Sequence, residues 1–245
     1  MAEIRYFHRT DGLKLAYRKA EGAGPTIVFL PGYMSDMAGG KATAIFDRAV
    51  ADGRSCLLLD YAGCGQSDGD FAVQTLTGWR DDVLAMVDAL TEGPVVLVGS
   101  SMGGWLMLLV GEALGERLAG LIGIAPAPDF TRWGFTDAQR AEIADQGVHF
   151  EPSPYGPEPT PTYKTLYESG EASLMLDRDI AINCPMRLLH GQADADVPWK
   201  ISLKLAAALR SRDVRVTLVK DGDHRLSREA DIALLLATVA EVVGG

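Results

Sequence analysis

Short runs of Val, Ile and Leu with almost no polar break recur along this chain, separated by longer segments in which apolar residues return every three or four positions. A strand with apolar residues at successive positions must be covered on both faces. Helices joining consecutive strands supply that cover, so the alternation predicts an α/β protein with a mostly parallel sheet. The runs fall at Thr26 to Leu30, Ser55 to Asp60, Val95 to Val98, Leu121 to Ile124, Met186 to Leu189 and Val214 to Val219, after two shorter candidates at Ile4 to His8 and Leu13 to Tyr17. In the last run, Val214, Val216 and Leu218 alternate with Arg215, Thr217 and Val219. That pattern fits a strand near the sheet edge with one face partly wet.

Between strands, Trp79, Val83, Met86, Val87 and Leu90 recur at helical spacing behind threonines suited to capping, and Gly93 stops the run. Pro198 stands where a helix through Ile201, Leu205 and Leu209 should begin. Ile232, Leu235, Leu236, Val239, Val242 and Val243 form the apolar face of a final helix, with Ser227 as its expected cap. From Pro126 to Asn183 the rhythm fails, and EPSPYGPEPTPTY crowds prolines between weaker helical patterns such as Asp137 to Asp145. Ordinary connections are about 4 to 6 residues long, so this stretch reads as an inserted lid or binding segment. In a chain of 245 residues that gives one core from residues 1–125 and 184–245, with a cap at 126–183.

Lys and Arg number 23 against 33 Asp and Glu, a formal charge of −10 with no basic run. Nucleic acid is excluded as an expected partner, because phosphate binding needs neutralising cations. Cys56, Cys64 and Cys184 show no CxxC spacing, which suggests neither a disulfide framework nor a zinc site. Those thiols, with an amino terminus that shows no apolar signal stretch and no transit peptide, lead to a cytoplasmic expectation. The uncharged stretch from Gly93 to Gly111 is broken by five glycines and two serines, so it reads as a strand turning into a helix rather than a membrane span.

That turn carries the chemistry. Gly99-Ser100-Ser101-Met102-Gly103 matches G-x-S-x-G only with Ser101 in the middle, behind the strand Val95 to Val98 and ahead of the helical stretch Trp105 to Leu109. A serine held in so sharp a strand-to-helix turn needs small residues two before and two after it, and its hydroxyl is exposed at the carboxyl end of the sheet. Such a hydroxyl needs a base to take its proton and an acid to orient that base. His8 lies in the first strand candidate, His149 in the insertion and His190 at a strand end, so these three read as structural. His190 also precedes Asp194 by too little to share a site role. His224, in the loop KDGDHRL after the last strand, is the best-placed base.

For the acid, Asp194 and Asp196 both follow a strand in LLHGQADADVPW. Asp194 comes first, while Asp196 could cap the helix behind Pro198; Asp223, beside His224, reads as a loop residue. Pro31-Gly32 bends the chain after an earlier strand, which makes the N–H of Tyr33 the expected partner of the Met102 N–H in an oxyanion hole. Gly63-Cys64-Gly65 begins like a dinucleotide fingerprint, but Asp68 stands at the third glycine position, so a tight loop is the better reading.

With these residues placed, the whole chain resembles the α/β-hydrolase superfamily. FLPGYMS, DYAGCGQSDG, GSSMGGW, HGQADADVPW and GDHR stand in that superfamily's order. PGYMSDMAGGKA, GSSMGGWLMLL, INCPMRLLHG and DVPW look similar to its palmitoyl-protein thioesterase and acyl-glucuronide esterase branch. The resemblance implies an eight-stranded, mostly parallel sheet with a helical cap after the sixth strand, and it puts Ser101, Asp194 and His224 on triad positions and Tyr33 and Met102 on the oxyanion hole. It implies an ester or thioester hydrolase acting on a small-molecule or acylated substrate with no metal or organic cofactor. Met34, Trp105, Trp133, Phe135 and Trp199 are candidate substrate contacts, with Phe150 and Tyr163 beside them. An aminopeptidase or amidase on the same triad, and a binding protein that keeps the fold without turnover, are the alternatives.

Overall fold

The computed structural model describes residues 3–153 and 156–244. In chain order it has β1 (Arg5–His8), β2 (Lys14–Ala20), β3 (Ala23–Leu30), α1 (Gly40–Ala51), β4 (Arg54–Leu59), α2 (Leu76–Leu90), β5 (Val95–Ser100), α3 (Met102–Leu114) and β6 (Leu118–Ile124). There follow α4 (Phe130–Trp133), α5 (Asp137–Gln146), β7 (Val148–Glu151), β8 (Thr160–Tyr163), α6 (Lys164–Glu171), β9 (Met186–Gly191), α7 (Lys200–Ala208), β10 (Val214–Val219) and α8 (Glu229–Val242). Eight strands make one sheet in the order β1-β2-β4-β3-β5-β6-β9-β10, antiparallel at β1/β2 and β2/β4 and parallel elsewhere.

Side-chain alternation explains the unbroken apolar runs. In β3, Val28 and Leu30 face a layer with Trp79, Val83 and Met86 of α2 and Trp105 of α3. Ile27 and Phe29 face the opposite layer, with Ile45 and Phe46 of α1 and Leu235 and Val239 of α8. β5 and β6 divide in the same way, with Leu97 and Leu121 in the first layer and Val96, Val98 and Ile122 in the second. β10 is the sheet edge, and its alternating exposure agrees with the half-wet pattern of its sequence.

Helix α2 begins at Thr75, whose hydroxyl accepts from the Gly78 N–H. The cap of α8 differs from expectation. Arg228 rather than Ser227 holds that position, and the Asp231 carboxylate takes up both its backbone N–H and its guanidinium. No helix among the described residues is long and apolar enough to cross a membrane.

Between β6 and β9 the chain leaves the sheet. Alongside α4, α5 and α6 this excursion contains a two-stranded antiparallel hairpin, β7 with β8, which pairs Phe150 with Pro161. Each strand is only four residues long and β8 contains a proline, so no strand pattern is legible there. Asp129 ties the excursion to its base by accepting the N–H groups of Met175 and Leu176, both at 2.8 Å.

Candidate active site

The site is built from the carboxyl ends of β3, β5, β9 and β10. Ser101 connects β5 to α3 with φ 55° and ψ −120°, a strained conformation for a residue bearing a Cβ. Its backbone is pinned, its N–H donating to Ile124 O at 2.9 Å and its carbonyl accepting from Gly104 and Ala127 at 2.8 and 3.0 Å. The flanking glycines are required by space. A Cβ on Gly103 would lie 2.1 Å from the Leu30 carbonyl oxygen, and one on Gly99 would lie 2.3 Å from the Gly103 carbonyl oxygen.

Gly103→Ala is therefore expected to destabilise the protein by about 3 kcal/mol, because backbone rather than a flexible side chain must move. Gly40→Ala, in the first turn of α1 with nothing within 4 Å of the added methyl, should be neutral or mildly stabilising. Urea denaturation of both variants checks this, and equal midpoints would contradict the packing argument.

Asp194 lies in the turn after β9 with its side chain 0% exposed. Its Oδ1 accepts the N–H groups of Asp196 (2.9 Å) and Val197 (2.8 Å). Burial alone would raise its carboxyl, but the hydrogen bonds from His190, His224 and Val197 outweigh it and hold the group well below the usual carboxylate range. His224, in the loop after β10, has its side chain 16% exposed. Its Nδ1 lies 2.9 Å from Asp194 Oδ2 and its Nε2 3.1 Å from Ser101 Oγ. Since a carboxylate only accepts, Nδ1 carries the hydrogen and Nε2 is the acceptor for the serine hydroxyl.

The turns bearing acid and base are locked together. Ala193 N–H donates to Gly222 O at 2.9 Å, and a Cβ on Gly191 would fall 2.1 Å from that oxygen. On the far side of His224, Lys41 Nζ donates to the Arg225 carbonyl.

Of the two aspartates weighed from the sequence, it is Asp194, the one favoured there, that makes the imidazole bond. Asp196 contributes its backbone N–H, and its carboxylate stands on the exposed side with an oxygen within 4.8 Å of the other two groups. His190 requires a correction. It is fully buried, and its Nε2 lies 3.1 Å from Asp194 Oδ2, so it belongs to the site network despite being only four residues away. The turn after β9 doubles the chain back and brings the two side chains face to face.

Met102 is the first residue of α3, so its N–H has no acceptor within the helix. The segment from Pro31 to Tyr33 runs directly against the elbow: a Cβ on Gly32 would lie 3.3 Å from Ser101 Cβ, and the Tyr61 hydroxyl donates to Pro31 O at 3.0 Å. The Tyr33 hydroxyl donates to Pro161 O of β8 at 2.6 Å, which joins this segment to the excursion between β6 and β9. Its ring packs among Phe71, Trp79 and Phe130, with centroids at 5.3, 6.2 and 6.4 Å. Burial raises its phenol well above the ordinary value.

The candidate contact residues separate. Met34 is 53% exposed beside Tyr33 with φ 54°. Trp105 is 0% exposed, with its indole N–H on Ser173 O at 3.3 Å and its ring edge-on to Phe130; it is core packing, which corrects the expectation that it touches substrate. Trp133 donates to Pro128 O at 2.8 Å, and Phe135 packs against Phe130, His149 and Tyr167 within the excursion between β6 and β9. Trp199 precedes α7, with the Lys200 ammonium over its ring. Phe71 and Phe130 pack against the Tyr33 ring without any sequence signal that singles them out. The Gly63–Gly65 segment is a tight loop around Asp60, whose carboxylate accepts from Met37 and Gln66 N–H.

A doubly covered sheet, a strained serine elbow and a histidine bridging that serine to a buried aspartate define the α/β-hydrolase class. The alpha/beta hydrolase family model matches residues 27–242, and the chain belongs to that family. It is 41% identical over 246 residues to the human mitochondrial palmitoyl-protein thioesterase ABHD10, a match covering 98% of this chain and 80% of the relative. Among solved structures, alpha/beta hydrolase domain-containing protein 10 from mouse superposes with a TM-score of 0.92 at 39% identity, covering 99% of this chain and 98% of the other. The ferulic acid complex of Est1E from Butyrivibrio proteoclasticus shares the fold alone, with a TM-score of 0.80 at 20% identity and coverage of 97% and 96%.

The relatives overturn the cytoplasmic expectation, since the ABHD10 proteins of human, orangutan and mouse are mitochondrial by name. Three cysteines without a pairing pattern do not distinguish one compartment from another.

Proposed function

We propose that this hydrolase cleaves acyl thioesters and esters through an acyl-enzyme on Ser101. The observation that carries the reading is the placement of His224 between Ser101 Oγ at 3.1 Å and Asp194 Oδ2 at 2.9 Å. In the first half-reaction His224 Nε2 takes the serine proton as Oγ attacks the acyl carbon. The resulting oxyanion accepts from the N–H groups of Met102 and Tyr33, and each such donor contributes about 3 to 4 kcal/mol in sites of this kind. The proton on Nε2 then passes to the departing thiolate or alkoxide. In the second half-reaction His224 Nε2 takes a proton from a water as its oxygen attacks the acyl carbon, and passes that proton to Ser101 Oγ as the Oγ–acyl bond breaks and the carboxylic acid leaves. Asp194 keeps the hydrogen of the resting imidazole on Nδ1 and stabilises the transient imidazolium.

Support for an acyl substrate comes from the thioesterase relatives and from the aromatic cluster of Tyr33, Phe71 and Phe130, packed on the segment whose Gly32 runs against the Ser101 elbow. A matched series of acyl esters and acyl thioesters, from acetyl to palmitoyl, tests the reading with Ser101→Ala as blank. Thioesters are expected to turn over faster than their esters, with kcat/KM rising along the chain-length series. A panel without Ser101-dependent turnover would overturn the reading.

A further inference from the structure

Resting on the triad reading above, we infer that His190 is a positioning residue that shares the Asp194 carboxylate with His224 and sets how strongly that carboxylate draws on the catalytic imidazole. The geometry fixes its protonation. His190 Nε2 lies 3.0 Å from the Val197 carbonyl oxygen as well as 3.1 Å from Asp194 Oδ2, and a carbonyl only accepts, so Nε2 bears the hydrogen. On the other side Nδ1 lies 2.7 Å from the hydroxyl of Ser202 in α7, which is itself fully buried and donates to it. The ring is thus held in one tautomer from both edges.

Asp194 consequently accepts four hydrogen bonds, two backbone N–H groups on Oδ1 and two imidazole N–H groups on Oδ2. An oxygen that already accepts from one imidazole is a weaker partner for the second. When His224 receives the Ser101 proton, the shared carboxylate stabilises the imidazolium less than an unshared one would, so Nε2 gives the proton up more readily to the leaving group. The shared bond also prevents the carboxylate from turning away from His224. The other charged residues around this pair are Asp196, with a carboxylate oxygen within 4.8 Å, Arg225, the next residue after His224, Asp223, which accepts from Leu226 N–H, and Lys41, which lies on the Arg225 carbonyl.

The pH dependence of kcat/KM for wild type, His190→Leu and His190→Gln tests this. Without the His190 donor the carboxylate is a stronger base, so the acidic limb in His190→Leu should move upward by about half a pH unit or more. Glutamine carries an amide N–H near the position of the lost imidazole Nε2, so its limb should return toward wild type. A folded His190→Leu with an unmoved limb would overturn the inference, because that is what packing alone predicts.

A second measurement depends on neither folding of the variants nor turnover. In the wild-type protein labelled with ¹⁵N-histidine, His190 should show a protected Nε2–H and an unprotonated Nδ1, and an Nδ1–H tautomer would overturn the inference. Absence of Ser101-dependent turnover in wild type would instead count against the acyl-transfer reading and leave the tautomer to decide the role of His190.

Discussion

Ser101→Ala is expected to lower kcat/KM by about ten-thousand- to a million-fold while leaving the urea midpoint close to wild type. The loss is this large because the Ser101 oxygen forms the covalent bond to the acyl carbon, and without it the substrate is left to direct attack by water with no acyl-enzyme. The fold should be spared because, among the described residues, the serine side chain makes one hydrogen bond, to His224, while the backbone that holds the elbow is anchored by Ile124, Gly104 and Ala127. Alanine tolerates φ 55° no worse than serine does. Steady-state rates beside a denaturation curve check both halves, and a folded variant with wild-type turnover would remove Ser101 from the mechanism.

The second large effect separates two neighbouring carboxylates. Asp194→Asn should reduce kcat by about ten-thousand-fold, because an amide can present N–H₂ to the imidazole and favour the tautomer that leaves Nε2 protonated and unable to accept from Ser101. Asp196→Asn should stay within about threefold of wild type, since the bond that Asp196 makes to Asp194 comes from its backbone N–H and survives the substitution. Kinetics of the two variants at one pH decide the matter. The reverse ranking would transfer the acid role to Asp196.

The sheet was legible in the sequence because its central strands are covered on both faces and therefore read as apolar runs, and β10 was legible as an edge because only one of its faces is dry. The serine elbow was legible for a steric reason, the close backbone approach that only Gly99 and Gly103 allow. Asp194 was favoured over Asp196 by its place first after the strand and by the family resemblance, while the turn in which it accepts the N–H of Asp196 left no pattern in the sequence. His190 was discounted on spacing along the chain, a poor guide where a strand ends in a turn that folds back on itself.

The excursion between β6 and β9 carried the weakest signal. Its hairpin strands are too short to show a period of two, and a fully buried Trp105 is indistinguishable in sequence from a pocket aromatic. The link from the Tyr33 hydroxyl to Pro161 spans more than half the chain and leaves no local pattern at either end.

The most direct test of the account is peptide mapping by mass spectrometry after treatment with a fluorophosphonate, which phosphonylates a serine activated by a neighbouring base. The account predicts one adduct, on the peptide containing Ser101, lost in Ser101→Ala and strongly slowed in Asp194→Asn. A folded wild-type protein that stays unlabelled, or that is labelled at another residue while Ser101 stays free, would contradict it.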